Sequence, residues 1–204
     1  LVSRDKGWQS YCRESEYLYC CADLPKGLSL FYEDEALVKL ILTQSEKDPD
    51  SDLINMLTET AQRDLDDLDF EVQADAFMNW DCQLEHAIVT RVRLRIGADD
   101  PQEIIGTDAD TVTFVVPIEA DIEVAGGFDF SVYDSIDGDD VMIGGNVSTV
   151  NLTHRYEVTV VASGKGQKDA EEIDIYEATL NPSTRLREVD FGFVEPFYEP
   201  DPED

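Results

Sequence analysis

Seven apolar residues at strict two-residue spacing (Val112, Phe114, Val116, Ile118, Ala120, Ile122 and Val124) constrain this chain more than any other feature. In an extended backbone, successive side chains point to opposite faces, so all seven share one face of a strand. Glu119, Asp121 and Glu123 fall on the other face, which must stay wet. A strand with one apolar and one charged face belongs to an antiparallel sheet covering a single core. Strands usually run about 5–6 residues, so one this long predicts a twisted hairpin reaching past the core.

The same period governs the rest of the chain from Asp69. Phe70, Val72, Ala74 and Ala76 alternate with polar neighbours. Ile88, Thr90, Val92, Leu94 and Ile96 are predicted to share one face of the next strand, with Val89, Arg91, Arg93 and Arg95 on the other. Phe128, Phe130 and Val132 continue the long strand after Gly126-Gly127, a predicted turn or bulge. Asp137-Gly138 predicts a two-residue hairpin turn. Val150, Leu152, Tyr156, Val158 and Val160 form another strand, and residues 173–180 and 187–193 two more. Six to eight strands at this spacing suggest a sandwich or a strongly curled sheet.

Before Asp69 the period is helical. Ala36, Leu37, Leu40 and Ile41 make the apolar stripe of a helix over residues 35–44, which Lys47-Asp48-Pro49-Asp50 ends. Ser51 or Asp52 caps a second helix, with Leu53, Met56, Leu57, Thr60, Ala61 and Leu65 on its stripe. Asp64, Asp66, Asp67 and Asp69 at its end read as a solvated boundary, since negative charge is unfavourable at a helix C-terminus.

Charge narrows the partners. Fifteen Lys and Arg against 46 Asp and Glu give a net charge of −31, a field that repels nucleic acid and anionic membranes unless a local patch or metal reverses it. Basic proteins and cations are the natural partners. Salt adaptation, nucleic-acid mimicry and a plain acidic surface all accommodate this charge. No run approaches the length of a membrane span, and no signal peptide is present. Cys12, Cys20, Cys21 and Cys82 fit neither a zinc pattern nor a disulfide framework, and read as free thiols in a reducing cytoplasm.

The first residues carry the chemistry. Leu1-Val2-Ser3 reads as a strand end, Arg4 opens a helix with Trp8, Tyr11 and Cys12 on its stripe, residues 17–22 read as a buried strand, and Asp23-Leu24-Pro25 starts another helix. Strand, helix, strand, helix is the order of a parallel α/β layer. Ser3-Arg4-Asp5-Lys6-Gly7-Trp8, followed by Asp23-Leu24-Pro25-Lys26-Gly27-Leu28, resembles the closing third of a PIN-like nuclease domain, of the bacterial kind with an extra C-terminal region. The resemblance covers about the first 32 residues. It implies a ribonuclease whose clustered acids hold Mg²⁺ or Mn²⁺, with Asp5 as catalytic and metal-ligating residue. It also implies that the family's other acids precede Leu1. One aspartate cannot hold the ion and position water, so this chain alone is expected to be inactive and to carry no cofactor. The absence of Met at Leu1 agrees with a fragment.

Arg91, Arg93 and Arg95 form a same-face ladder, three of nine arginines on one strand. It reads either as a nucleic-acid contact strip feeding RNA to the nuclease site or as a cross-strand complement to Glu119, Asp121 and Glu123. Pairing is the stronger reading, since no aromatic residue interleaves to stack bases. Asp134, Asp137, Asp139 and Asp140 miss the calcium-loop spacing, and Ser163-Gly164-Lys165-Gly166-Gln167-Lys168 lacks the context of a phosphate loop. His86 and His154 read as strand residues. The expected architecture is α+β: the end of a PIN-like α/β layer (1–32), a helical bridge (33–68), an antiparallel β domain (69–194) and an acidic Pro-rich tail (195–204). The competing reading is an acidic interaction module, either a nucleic-acid mimic or a binder of a basic protein.

Overall fold

In a computed structural model of the protein, residues 6–14, 24–66, 70–96, 103–108, 110–164 and 173–197 are described. Among the described residues, three helices precede seven strands: α1 (Lys6–Glu14), α2 (Leu24–Ser45), α3 (Asp52–Asp66), β1 (Glu71–Asp75), β2 (Asn79–Leu94), β3 (Glu103–Thr107), β4 (Thr111–Asp134), β5 (Asp139–Ser163), β6 (Ile175–Leu180) and β7 (Glu188–Phe193). The fold is mixed α+β and dominated by an antiparallel sheet. Its strand order is β2-β4-β5-β6, with β3 also pairing β4. No helix among the described residues is long and apolar enough to cross a membrane.

The chain divides into two compact units, Leu1–Leu53 with Gly97–Val116 and Thr159–Glu177, and Ile54–Ile96 with Pro117–Val158 and Ala178–Asp204. In the first unit, Leu37, Val38, Ile41 and Leu42 of α2 are buried, with Asp34 and Ser45 at either end of the same stripe. That stripe is rotated from the expected one: Ala36 is exposed and Leu40 half-buried. The difference arises because a polar residue at each end belongs to the buried face. Asp34 is accommodated by the Thr107 hydroxyl of β3, which donates to its Oδ2 at 2.7 Å. β3 pairs antiparallel with β4, Ile104 opposite Phe114 and Thr107 opposite Val112. Cys12 of α1 is buried, but Trp8 and Tyr11 are exposed and meet edge to face, so the expected stripe of α1 is only partly covered.

In the second unit the even-numbered face of β4 stays buried as far as Phe130. Ile118, Ala120, Ile122, Val124, Phe128 and Phe130 are all buried, as are Val112, Phe114 and Val116 of its first-unit part. Gly126-Gly127 does not turn the chain; β4 runs straight through it. The irregularity lies across the sheet in β2, whose pairing with β4 shifts between Leu84 and His86 and again between Val89 and Arg91. Each bulge adds one residue and flips every later side chain. Hence Ala87 and Val89 are buried while Ile88 is exposed, the reverse of the predicted phase, and the second flip returns Val92 to the core. Gly126 is needed at the first shift: a Cβ there would stand 2.9 Å from the Cys82 sulfur and 3.2 Å from Cζ of Phe191.

The β4–β5 connection is a four-residue turn over 135–138 rather than a two-residue one. The Gly138 N–H donates to the Asp134 carbonyl at 2.9 Å, and the Ile136 N–H to the Asp134 carboxylate at 2.8 Å. Gly138 sits at φ +76°, where a side chain would be strained. The expectation of wholly antiparallel pairing fails at one place: β1 and β7 pair in parallel, Glu71 opposite Glu188 and Val72 opposite Val189. They are separated by most of the chain, so no tight turn forces them antiparallel.

Helix α3 buries Leu53, Ile54, Leu57, Thr60, Ala61 and Leu65, its expected stripe with Ile54 in place of the half-buried Met56. In the second unit, its Gln62 side chain donates to the Ala87 carbonyl and accepts from the Val89 N–H of β2, both at 2.9 Å. Its Thr60 hydroxyl reaches the Ala178 carbonyl of β6 at 3.4 Å.

Candidate functional site

Asp5, the residue expected to ligate a metal, lies outside the described residues, as do Asp23, Cys20, Cys21 and Lys165 to Lys168. Among the described residues no group of three or more His, Cys, Asp or Glu side chains is arranged to hold a metal ion. Cys12 and Cys82 are free thiols, and burial, then the charge of Asp81, raises the Cys82 pKa.

The arginine strand lies where the alternation puts it, on the outer face of β2 beside the acids of β4. Arg93 grips Asp121 with both terminal nitrogens, at 2.6 and 2.7 Å. The Thr153 hydroxyl of β5 donates to the same carboxylate at 2.8 Å. These hydrogen bonds, Arg93 first and Thr153 second, hold the Asp121 carboxyl below its ordinary range, and the Arg93 guanidinium is correspondingly raised. Glu119 accepts from Arg155 Nε at 3.1 Å and stands 3.8 Å from Arg95 Nε. His86 lies 3.5 Å from Glu123. Only Arg91, opposite Asp121 in register and exposed, takes part in none of these ion pairs. Arg155 was missed in the sequence because its place beside Glu119 depends on the β4–β5 register. Four guanidinium groups and three carboxylates thus interleave on three strands. Exposed pairs of this kind contribute little individually, and their geometry orders the face rather than offering free charge.

A second polar cluster was not anticipated. Asp64, read as part of a solvated boundary, has a side chain only 6 % exposed. Its Oδ1 meets Arg185 Nε at 3.1 Å and its Oδ2 accepts from the Leu186 N–H at 3.4 Å. Tyr156 is buried beside it with its hydroxyl in no well-formed hydrogen bond; burial, followed by the negative charge of Asp64, raises the phenol well above its ordinary value. His154 packs edge to face on Tyr156 and lies 2.8 Å from the Thr184 carbonyl. Thr184 belongs to a short 3₁₀ turn, Pro182–Thr184, capped by the Asn181 side chain. The arrangement ties the end of α3 and the β6–β7 connection to β5. A helix end with a carboxylate becomes tolerable when a guanidinium and a backbone N–H answer it.

On the outer face of β2, β4 and β5, Gln83, Glu85, Gly127, Asp129, Gly145, Asn146 and neighbours line an open depression of about 730 Å³. Gly127 and Gly145 bring no side chain into it, and Glu85 and Asp129 make its lining acidic. Val147 of its lining is exposed, and beyond it the β4–β5 hairpin exposes Val132, Tyr133, Ile136, Val141, Met142 and Ile143. No protein-family model, curated protein or solved structure matches this chain.

Proposed function

We propose that this chain is the C-terminal part of a PIN-like, divalent-metal-dependent ribonuclease, joined to a β-rich accessory unit without chemistry of its own. The observation that supports the reading is that Lys6–Glu14 and Leu24–Ser45 are helical, as the resemblance expects of the segments that follow Arg4 and Asp23. Asp5 is the residue proposed to contribute to the metal site, with further acids from a preceding segment. Mg²⁺ or Mn²⁺ would supply activation of water and charge neutralisation at the phosphate. RNA is the proposed substrate and a cytoplasmic setting goes with the same reading, in keeping with the free thiols of Cys12 and Cys82.

The finer architecture belongs to this proposal: residues 1–32 as the end of the α/β layer, 33–68 as a bridge, 69–194 as the β domain and 195–204 as a tail. The described α2 runs unbroken through positions 32 and 33, so the bridge would continue the helix of the preceding layer. For the β domain, a curled sheet is favoured over a sandwich. Within the second unit α3 hydrogen-bonds to both β2 and β6, the two ends of the strand order. The interleaved arginines favour a structural ladder over an RNA strip, because the Asp121 carboxylate already occupies the fork of Arg93.

Cleavage of labelled single-stranded RNA with Mn²⁺ tests the nuclease reading. The protein would be extended upstream of Leu1 and compared with its Asp5→Asn variant, the present chain serving as control. The expected result is cleavage by the extended form, lost on Asp5→Asn and absent from the control. No metal-dependent cleavage by the extended form would refute it.

A second reading, an acidic interaction module that binds a basic protein, is favoured by the exposed apolar and acidic end of the β4–β5 hairpin. The two readings are compatible, since an accessory unit can recruit a partner.

A further inference from the structure

The β4–β5 hairpin changes character near Phe130. Up to that residue the even-numbered face of β4 is closed. Beyond it, Val132 is 45 % exposed, Met142 65 % and Ile136, at the turn, 89 %. β2 accompanies β4 only as far as Asn79 opposite Ser131. On the other side, the Asn181 N–H of the β6–β7 connection meets β5 at the Glu157 carbonyl, well beyond this segment. The end of the hairpin is therefore an arm with exposed apolar side chains, met at Gly145 and Asn146 by the Phe197 N–H and the Glu195 carbonyl. Isolated exposed hydrophobics are ordinary, but seven on one short arm are a surface that costs solubility unless something covers it.

The charge of the arm says what covers it. Residues 129–147 hold five aspartates (Asp129, Asp134, Asp137, Asp139 and Asp140), and neither Lys nor Arg occurs anywhere between Arg95 and Arg155. A membrane of anionic lipid or a nucleic acid would be repelled, and a second copy of a chain carrying −31 would bring acid against acid. An apolar strip fringed only by carboxylates complements a surface with apolar side chains among lysines and arginines.

We infer that the β4–β5 arm is the docking site for a basic protein, whose interspersed cationic and apolar side chains cover Val132, Ile136 and Met142. This deepens the acidic-module reading and rests on it, but is independent of the nuclease reading.

The test uses the full chain, without RNA or metal, and a short fluorescent peptide alternating Lys and Leu, read by anisotropy. An equivalent peptide alternating Lys and Ser measures charge alone. The Lys-Leu peptide is expected to bind, more weakly as salt rises. The Lys-Ser peptide should bind about tenfold more weakly, and so should Lys-Leu to the double variant Ile136→Ser, Met142→Ser. These side chains lie outside the core, so the fold survives, as circular dichroism would verify. Ile105→Ser, at an exposed residue of β3 off the arm, should bind as wild type. Undiminished binding to the double variant would overturn the arm as the site and leave the acidic-module reading standing. Equal affinity for both peptides would reduce the effect to the general field and overturn the docking proposal. Absence of binding by either peptide would overturn both readings. Sedimentation showing a wild-type dimer that the double variant abolishes would assign the arm to a second copy instead.

Discussion

β4 and β5 make one hairpin with two kinds of end. In β4, Ile118, Ala120, Ile122, Phe128 and Phe130 are fully covered on one face, while Asp121 and Glu119 on the other are matched by arginines of β2 and β5. A few residues on, the same strands carry exposed apolar side chains of similar size, and aspartates with no basic residue nearby in the chain. Hydrophobicity and strand propensity barely differ between the two ends. What differs is the number of layers: β2 stops at Asn79, and α3 engages β2 only around Ala87 and Val89. Burial here is a property of neighbours, and the arm has too few.

The contrast can be broken most directly in the core. Ile122→Ala removes a fully buried side chain and should lower stability by about 2–5 kcal/mol in urea unfolding. Met142→Ala on the arm should change it by no more than about 0.5 kcal/mol. Similar losses at both sites would mean that the arm is packed in solution.

Next in size is Gly126→Ala. The new methyl would press on the Cys82 sulfur and on Phe191, and overpacking of this kind costs about 1–3 kcal/mol. Cys82→Ala in the same chain should recover part of the loss, a coupling that a double-mutant cycle resolves.

Tyr156 sharpens the comparison by pH. Its folded-state pKa is raised, so its contribution is fully present below the ordinary phenol value of about 10 and is lost as pH rises beyond it. Stability should fall above about pH 10 with a slope of up to about 1.4 kcal/mol per pH unit from this group. Tyr156→Phe should flatten that limb; an unchanged alkaline profile would mean that Tyr156 is not buried beside Asp64 as described.

The smallest effect is expected on the charged face. Asp121 is depressed by Arg93 and Thr153, so its contribution is present above the ordinary carboxylate value and is lost as pH falls through its lower folded value. Asp121→Asn should be slightly less stable than wild type at neutral pH, with the difference shrinking below about pH 4 and in high salt. A gap that widens on acidification would contradict the ladder.

Much of this was legible beforehand, for identifiable reasons. The run from Val112 to Val124, the stripe of α3 and the strands near 173–180 and 187–193 follow from periodicity, because a one-sided core admits only one phase. Helices over Lys6–Glu14 and onward from Leu24 were also readable, from apolar spacing and from the Asp23-Leu24-Pro25 start signal. Errors occurred where a neighbour intervened. Nothing in the sequence of β2 marks Glu85 or Thr90 as extra residues, since a bulge is defined by register with β4. Asp64 resembles its acidic neighbours in sequence, and only Arg185 and the Leu186 N–H, more than a hundred residues away, make its burial tolerable.

By itself, then, the sequence determined the element types from residue 35 onward, the apolar face of β4, the acidity and the lack of basic residues between Arg95 and Arg155, because these depend on backbone period and side-chain chemistry alone. Only the tertiary structure decided which phase of β2 faces inward, that β1 and β7 run parallel, that Arg93 is held by Asp121, and that the hairpin continues uncovered past Phe130. Each of those depends on which distant strand or helix lies alongside, and where it ends.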